Sequence, residues 1–415
     1  MAAVFSRRLP WDRPENALAV LERARRDAGQ PLLDLTESNP TRVGLEYPTG
    51  EIGAALAAPG LATYAPAPRG LAAARAAVAA SYEELGARVD AEQLLLTASS
   101  SESYAFLFKL LCDPGDAVLV PEPSYPLFEY LARLEGVTPL GYRLAYDGVW
   151  HVDFASVRAR LDEAAAAGAG APRPRALVLV SPNNPTGSFL KRSELAALVD
   201  VAAAAGLAVI SDEVFAAFAF APDPERVAVA AAEPALADHV LTFSLGGLSK
   251  ACGLPQLKLG WLLAGGPPGP RRAALERLEL IADTFLSVST PVQLAAPRLL
   301  VAGAGVRAAI AARVAGNRAR LAAALSPGSP CTLLPSEGGW SAILRVPATR
   351  TDEEWAAALL AEDGVLVHPG YFFDMRGGAF LVLSLLPEPA VFQAGVAPLV
   401  ARCEEPAVPG RSGTP

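Results

Sequence analysis

Ser244-Leu245-Gly246-Gly247-Leu248-Ser249-Lys250-Ala251-Cys252-Gly253-Leu254-Pro255-Gln256-Leu257-Lys258-Leu259-Gly260-Trp261 is the stretch around which this 415-residue chain is organised. One lysine, Lys250, stands between Gly- and Ser-rich backbone and a Gly-Leu-Pro turn. A solvated lysine needs no such setting, because an ammonium on a flexible stem is content on any exposed face. A lysine that must form a Schiff base does need it. Its amine has to be neutral to attack a carbonyl, and partial burial lowers the pKa toward that state. An isolated Ser-Lys pair in a surface loop would carry no such meaning. The turns upstream supply it.

Five apolar runs precede polar turns. Leu94-Leu95-Leu96 leads into Thr97-Ala98-Ser99-Ser100-Ser101-Glu102 and a helix through Phe106 and Leu110. Ala117 to Val120 precedes Pro121-Glu122-Pro123-Ser124-Tyr125-Pro126, and Ala176 to Val180 precedes Ser181-Pro182-Asn183-Asn184-Pro185-Thr186-Gly187. Leu207 to Ile210 precedes Ser211-Asp212-Glu213-Val214-Phe215, and His239 to Phe243 precedes the lysine stretch. Continuous apolar strands alternating with helices imply a mostly parallel sheet covered on both faces. Sites in such sheets lie outside the carboxyl ends of the strands, which is where each of these turns falls. A strand, a small-residue turn and a helix start also make an anion site at Ser99 to Ser101, through unpaired amides and the helix dipole. The same residues fit a serine N-cap closed by Glu102 or Ser103.

Composition bounds the rest. Apolar residues reach 52%, much of it alanine, which blurs helix periodicity. A net charge of -8 argues against a nucleic-acid surface. Cys112, Cys252, Cys331 and Cys403 are scattered without paired spacing, which fits a reduced cytoplasmic protein better than a disulfide framework or a zinc site, so no metal is expected. Arg7, Arg8, Asp12 and Arg13 occupy the place where a signal peptide would need an apolar run, and no membrane span is expected. A helix over Trp11 to Gln30 and a short strand at Leu32 to Leu35 open the chain. Gly265 to Pro270 breaks it before a long helix, and strands near Trp340–Val346, Val365–Val367 and Phe380–Leu383 follow. This pattern reads as an N-terminal segment 1–48 packing with a small domain, a large domain 49–275, a small α+β domain 276–403, and a disordered tail 404–415 rich in Pro and Gly.

Taken together, the turns supply an anion cradle, an aromatic face (Tyr125), an amide (Asn184), a carboxylate (Asp212) and a reactive lysine (Lys250). A pyridine aldehyde bearing a phosphate needs that set. The chain resembles the class I/II aminotransferases, the fold-type-I pyridoxal-phosphate enzymes, through Ser-Pro-Asn-Asn-Pro-Thr-Gly, Asp-Glu-Val-Phe and Ser-Lys-Ala-Cys-Gly-Leu-Pro, in that order from about Leu33 to Ser384. The resemblance implies an α/β fold, with a mostly parallel seven-stranded sheet between helices and a smaller α+β domain. It implies pyridoxal phosphate as cofactor and Lys250 as the residue that bonds it and moves the proton. Asp212 would pair with the ring nitrogen, Asn184 would bond the ring oxygen, and Tyr125 would stack. Ser100, Ser101 and Ser249 would serve the cofactor, and Tyr64 would reach the phosphate of a neighbouring subunit, implying a homodimer with shared sites.

Four positions depart from the family pattern. Phe215 stands where a tyrosine hydroxyl commonly bonds the cofactor, a loss of about 0.5–1.5 kcal/mol that retunes more than it abolishes binding. Gly247 replaces a phosphate-binding serine, and Lys258 replaces an arginine, giving a point charge without the bidentate fork. Val382, in Phe380-Leu381-Val382-Leu383-Ser384, replaces the arginine that clamps the substrate carboxylate. Either the substrate lacks that carboxylate or another cation binds it, with Arg42 favoured, in the loop from Asn39, and Arg376 second. Trp340, after Gly338-Gly339, would wall the substrate pocket, or it is a core tryptophan. The expected function is a cytoplasmic, biosynthetic aminotransferase acting between an amino acid or amine and a 2-oxo acid. A lyase or decarboxylase of the same fold, and a non-catalytic protein that binds the cofactor, are the alternatives.

Overall fold

The computed structural model describes residues 4–11, 15–168 and 170–405. The tail expected to be disordered lies outside the described residues from 406 onward, and Glu404 closes the last helix instead of starting a tail. A short first strand, β1 (Leu33–Asp34), is followed by eight strands that form the main sheet: β2 (Leu94–Thr97), β3 (Ala117–Glu122), β4 (Thr138–Tyr146), β5 (Trp150–Val152), β6 (Pro174–Val180), β7 (Ala208–Asp212), β8 (Thr242–Gly247) and β9 (Gly260–Gly265). Their order across the sheet is β2-β9-β8-β7-β6-β3-β4-β5. Strands β4, β3, β6, β7 and β8 pair in parallel. Strand β9 is antiparallel to both neighbours, which returns β2 to the common direction. The expected seven strands become eight because Asp147-Gly148 turns the chain back into β5, three residues paired antiparallel to β4.

Alternation along each strand explains why the runs read as continuous apolar segments. Leu95, Val118, Val178, Ile210 and Leu262 pack into the core on one face. Their neighbours Leu94, Leu96, Trp261 and Leu263 pack on the other face at one side of the sheet, and Leu119, Leu177, Leu179 and Val209 do so at the other. With period-two side chains and helices on both faces, both sets of alternating residues are buried, and the strands read as continuous apolar runs.

The helices are α1 (Ala17–Asp27), α2 (Thr49–Leu56), α3 (Ala72–Ser81), α4 (Ser100–Leu111), α5 (Leu127–Leu134), α6 (Phe154–Ala166), α7 (Arg192–Ala205), the one-turn α8 (Leu248–Ala251), α9 (Pro268–Phe285), α10 (Thr290–Ala324), α11 (Asp352–Ala358) and α12 (Pro389–Glu404). Helix α1 is shorter than Trp11–Gln30 because Asn16 caps it, its Oδ1 accepting from Ala19 N, and Gly29 follows its end with φ 63°. The second sheet comprises β10 (Thr332–Leu333), β11 (Ser341–Val346), β13 (His368–Pro369) and β14 (Ala379–Ser384), while β12 (Val365–Leu366) pairs in parallel with β1.

The break at Gly265–Pro270 does not separate the two cores. Ala274, Leu278 and Ala282 of α9 pack on the main sheet. Helix α10 is shared: Val292, Ala295, Ala296 and Leu299 belong to the main core, and Val306, Ile310, Val314 and Leu321 to the core of the second sheet. The crossover therefore falls inside α10 and not at residues 275–276, where a helix surface was cut by punctuation alone. Helix α10 is also the one described helix long and apolar enough to cross a membrane, with mean hydropathy 1.5. Both of its halves are occupied by core packing.

Candidate active site

Strands β2, β3, β6, β7 and β8 share one direction, so their carboxyl ends open on one edge of the sheet. That edge carries Ser99–Ser101, Tyr125, Asn184, Asp212 and Lys250. After β8 the chain enters α8, and Lys250 is its third residue. The Nζ atom lies 5.1 Å from the Trp340 ring centre and 5.6 Å from that of Phe215, and these two rings meet edge to face at 5.1 Å. Among the described residues no hydrogen bond or ion pair holds the amine. Burial lowers its pKa, and the nearby Asp212 carboxylate opposes that shift in part. The result is an amine brought toward the neutral form a nucleophile or base requires.

Asp212 ends β7. Its Oδ1 accepts from Val214 N at 3.2 Å and its Oδ2 from the Tyr104 hydroxyl at 3.2 Å. Burial pushes the carboxyl up to about 6, against those two donors and the charge of Lys250. Asn184, in the turn after β6, accepts from Ser341 Oγ at 3.1 Å through Oδ1, which fixes the amide and leaves Nδ2 free to donate.

The segment expected to cradle an anion forms the serine N-cap that its sequence allowed. Ser99 is the N-cap of α4, its Oγ accepting from Glu102 N, and Glu102 Oε2 accepts from Ala98 N. The amides of Ser100 and Ser101 make no bond within the described chain and stand free at the helix start. Close backbone approach builds this corner. Gly260 faces it so tightly that an added Cβ would stand 2.8 Å from the Ser99 carbonyl carbon. Gly247 pairs with Gly260 across β8 and β9, and a Cβ there would lie 3.2 Å from Leu259 O. A serine at 247 would need the facing backbone to give by a few tenths of an ångström. Ser249 lies in α8 beside the lysine, and Lys258 is exposed at a left-handed position, φ 52°. Tyr125 is half-exposed and Tyr64 is 76% exposed.

Val382 sits in an apolar cluster with Leu334, Ile343, Phe373, Met375 and Phe380. Trp340 is buried, and its Nε1 has no acceptor. The loop with Arg42 is tied down at both ends: Ser384 donates its N to Leu35 O and its Oγ to Glu37 O, and the Tyr47 hydroxyl donates to Gly253 O. Between these anchors Asn39 caps a short turn, Pro40–Arg42, by accepting from Thr41 N. The Arg42 side chain is exposed and makes no hydrogen bond or ion pair among the described residues, whereas Arg376 is paired with Glu122 at 3.4 Å. Two contributors were not legible in the sequence. Tyr104 lies on an inward face of α4 that reads as ordinary core, and Ser341 comes from the other sheet, with no local signal.

The profile described as "Aminotransferase class I and II" matches residues 27–385. The chain belongs to the class I and II aminotransferase family. Within that family it is 30% identical over 267 residues to the alanine aminotransferase of Mycobacterium tuberculosis, a match covering 64% of this chain and 59% of that protein. It is 26% identical over 240 residues to the S-alkyl-thiohydroximate lyase of Arabidopsis thaliana, covering 57% of this chain and 49% of the lyase. The chain thus spans less than two thirds of the length of these relatives. An aminotransferase structure from Escherichia coli superposes with a TM-score of 0.79 at 22% identity, over 93% of this chain and 94% of that one. This likeness establishes the fold-type-I architecture of the family member described here.

Proposed function

We propose that this protein is a pyridoxal-phosphate-dependent aminotransferase that moves an amino group between an amino acid or amine and a 2-oxo acid. One observation carries the reading: an unpaired, partly buried lysine of lowered basicity beside a buried carboxylate, at the shared carboxyl edge of a parallel sheet. The donor set fits the cofactor. The free amides and hydroxyls of Ser100 and Ser101, with Ser249 and Lys258, suit a phosphate. The Nδ2 of Asn184 suits the ring oxygen, Asp212 the ring nitrogen, and Tyr125 a ring face, with Phe215 packing in place of a hydroxyl. Pyridoxal phosphate, when bound, supplies an aldehyde for the amine and a protonated ring that draws electrons from the substrate carbon. Lys250 accepts and returns the proton at Nζ. Trp340 walls the pocket and shields that proton from water, and Asn39 holds the turn from which Arg42 presents a cation to a substrate carboxylate.

Tyr64 and the apolar surface near it support a homodimer with shared sites. A small cavity of about 40 Å³ beside Tyr64 is lined by Pro66, Pro68, Phe106 and Leu286, and Leu61 and Phe285 are exposed nearby. Four free thiols support a reducing, cytoplasmic setting, and a biosynthetic role follows from the reaction class. The test is direct. Purified protein with the cofactor should show a visible absorbance band that shifts on adding an amino donor and is absent in Lys250→Ala. No binding at millimolar cofactor would reject the proposal.

A second reading, a lyase of the same fold, is favoured by the likeness to the thiohydroximate lyase and by the apolar surroundings of Val382. Release of ammonia and a keto acid without an acceptor would select it.

A further inference from the structure

We propose that the Tyr104 hydroxyl is the positioning donor that keeps Asp212 ionised and aimed at the ring nitrogen of the bound cofactor. The inference rests on the reading of Asp212 given above and adds a residue that reading does not use.

Tyr104 lies one turn into α4, the helix whose N-terminus carries the cradle, and is 2% exposed. Its ring is clamped by two others, Phe128 edge-on at 5.3 Å and Phe108 tilted at 5.8 Å. A ring so held gives its hydroxyl essentially one direction, and in that direction stands Asp212 Oδ2. A phenol in the same apolar interior with no acceptor would be an unsatisfied group costing stability, so the pair answers a need on both sides. Burial also raises the phenol well above its ordinary value, with the Asp212 charge adding to the shift, so Tyr104 remains a donor across the working pH range.

Asp212 faces a conflict that this bond resolves. Its burial favours the neutral acid, yet an ion pair with a protonated ring requires the carboxylate. The charged and titratable groups around it are few: Lys250 from α8, Tyr104 from α4 with Tyr142 behind it, and Glu213, the next residue in the chain. Lys250 ceases to help when its amine is neutral or bonded to the cofactor. Val214 N and the Tyr104 hydroxyl are then the donors that remain, one on each oxygen. Each oxygen keeps a lone pair, so the carboxylate can accept the ring N–H without losing either bond.

The experiment uses the cofactor-loaded protein with pyridoxal phosphate labelled with ¹⁵N at the ring nitrogen. In Tyr104→Phe the nitrogen signal should move toward the unprotonated position at neutral pH. The acid-side loss of cofactor affinity, which follows protonation of Asp212, should begin about one pH unit higher than in the parent. Difluorotyrosine at position 104, a stronger donor of the same shape, should move the same midpoint downward, and it serves if the phenylalanine variant folds poorly. Asp212→Asn is the reference. If Asp212→Asn shifts the nitrogen signal while both position-104 changes leave signal and midpoint alone, the Tyr104 inference is overturned and the Asp212 reading stands. If Asp212→Asn leaves the signal unmoved, the reading of Asp212 fails and the inference fails with it.

Discussion

The carboxyl edge of the main sheet and the strand β14 of the second sheet are built in opposite ways. The first ends in an amine, a carboxylate, an amide and free backbone donors. The second presents Val382 among Ile343, Phe373 and Met375, where no charge is held. The edge proposed for the chemistry carries titratable and polar side chains, whereas the position in β14 where the resemblance implies an arginine holds an apolar one. Under the proposed function the contrast puts the chemistry at the sheet edge and leaves selection to the loop from Leu35 to Tyr47 that carries Arg42.

The largest effect should come at the chemical end. Lys250→Ala should abolish reductive trapping of the cofactor by borohydride and lower turnover roughly 10²–10⁴-fold or more. Retained trapping would move the reactive amine elsewhere. At the other end, Val382→Arg should cost about 3 kcal/mol or more, read as a fall in denaturation midpoint, because a guanidinium there has no described partner. If that variant stayed equally stable and gained affinity for carboxylate donors, the two ends would differ less than their packing indicates.

Glu213 tests how much of the polarity near Asp212 is structural. Its carboxyl accepts from Ala230 N and Ser244 Oγ, and burial pushes it up to about 8 from an ordinary 4.5. A raised folded-state pKa gives stability that is full below pH 4.5 and is lost as pH rises toward 8, because the unfolded chain releases the proton first. Glu213→Gln should remove that slope, on the order of 1–3 kcal/mol between pH 5 and 9 in denaturant titrations. Arg42→Ala should raise KM for a carboxylate-bearing donor about tenfold with kcat little changed. An unchanged KM would discard Arg42 as the anion partner. The smallest effect is expected from Phe215→Tyr, which restores one hydrogen bond and should tighten cofactor binding by a few-fold in equilibrium dialysis.

Much of the chemical edge was legible because each of its residues follows an apolar run, and a run buried on both faces announces a parallel strand without help from periodicity. The mostly parallel sheet and the helix start at Ser99 followed from that. Strand β5 escaped because its three residues, Trp150-His151-Val152, alternate too briefly to show a pattern. The crossover within α10 escaped because alanine-rich helices look alike whichever core they face, so Gly265–Pro270 attracted a boundary that packing places later. Tyr104 and Ser341 were hidden for another reason. Each acts through one hydrogen bond to a residue 108 or 157 positions away, and nothing local encodes that. Val382 was legible as a missing cation, but only the structure surrounds it with aromatic and aliphatic side chains.

Helix α10 has a mechanical meaning beyond its packing. At 35 residues it is about 50 Å of nearly continuous rod, anchored in one core at its start and in the other at its end. Pro297 interrupts its hydrogen-bond ladder shortly before the crossover, the kind of place where a helix bends. A few residues later Gly303 lies so close to Cys252, two positions past Lys250, that an added Cβ would stand 2.5 Å from its Sγ. The one helix shared by both cores therefore also abuts the lysine's own turn, so a single rod touches the chemistry and carries the second sheet.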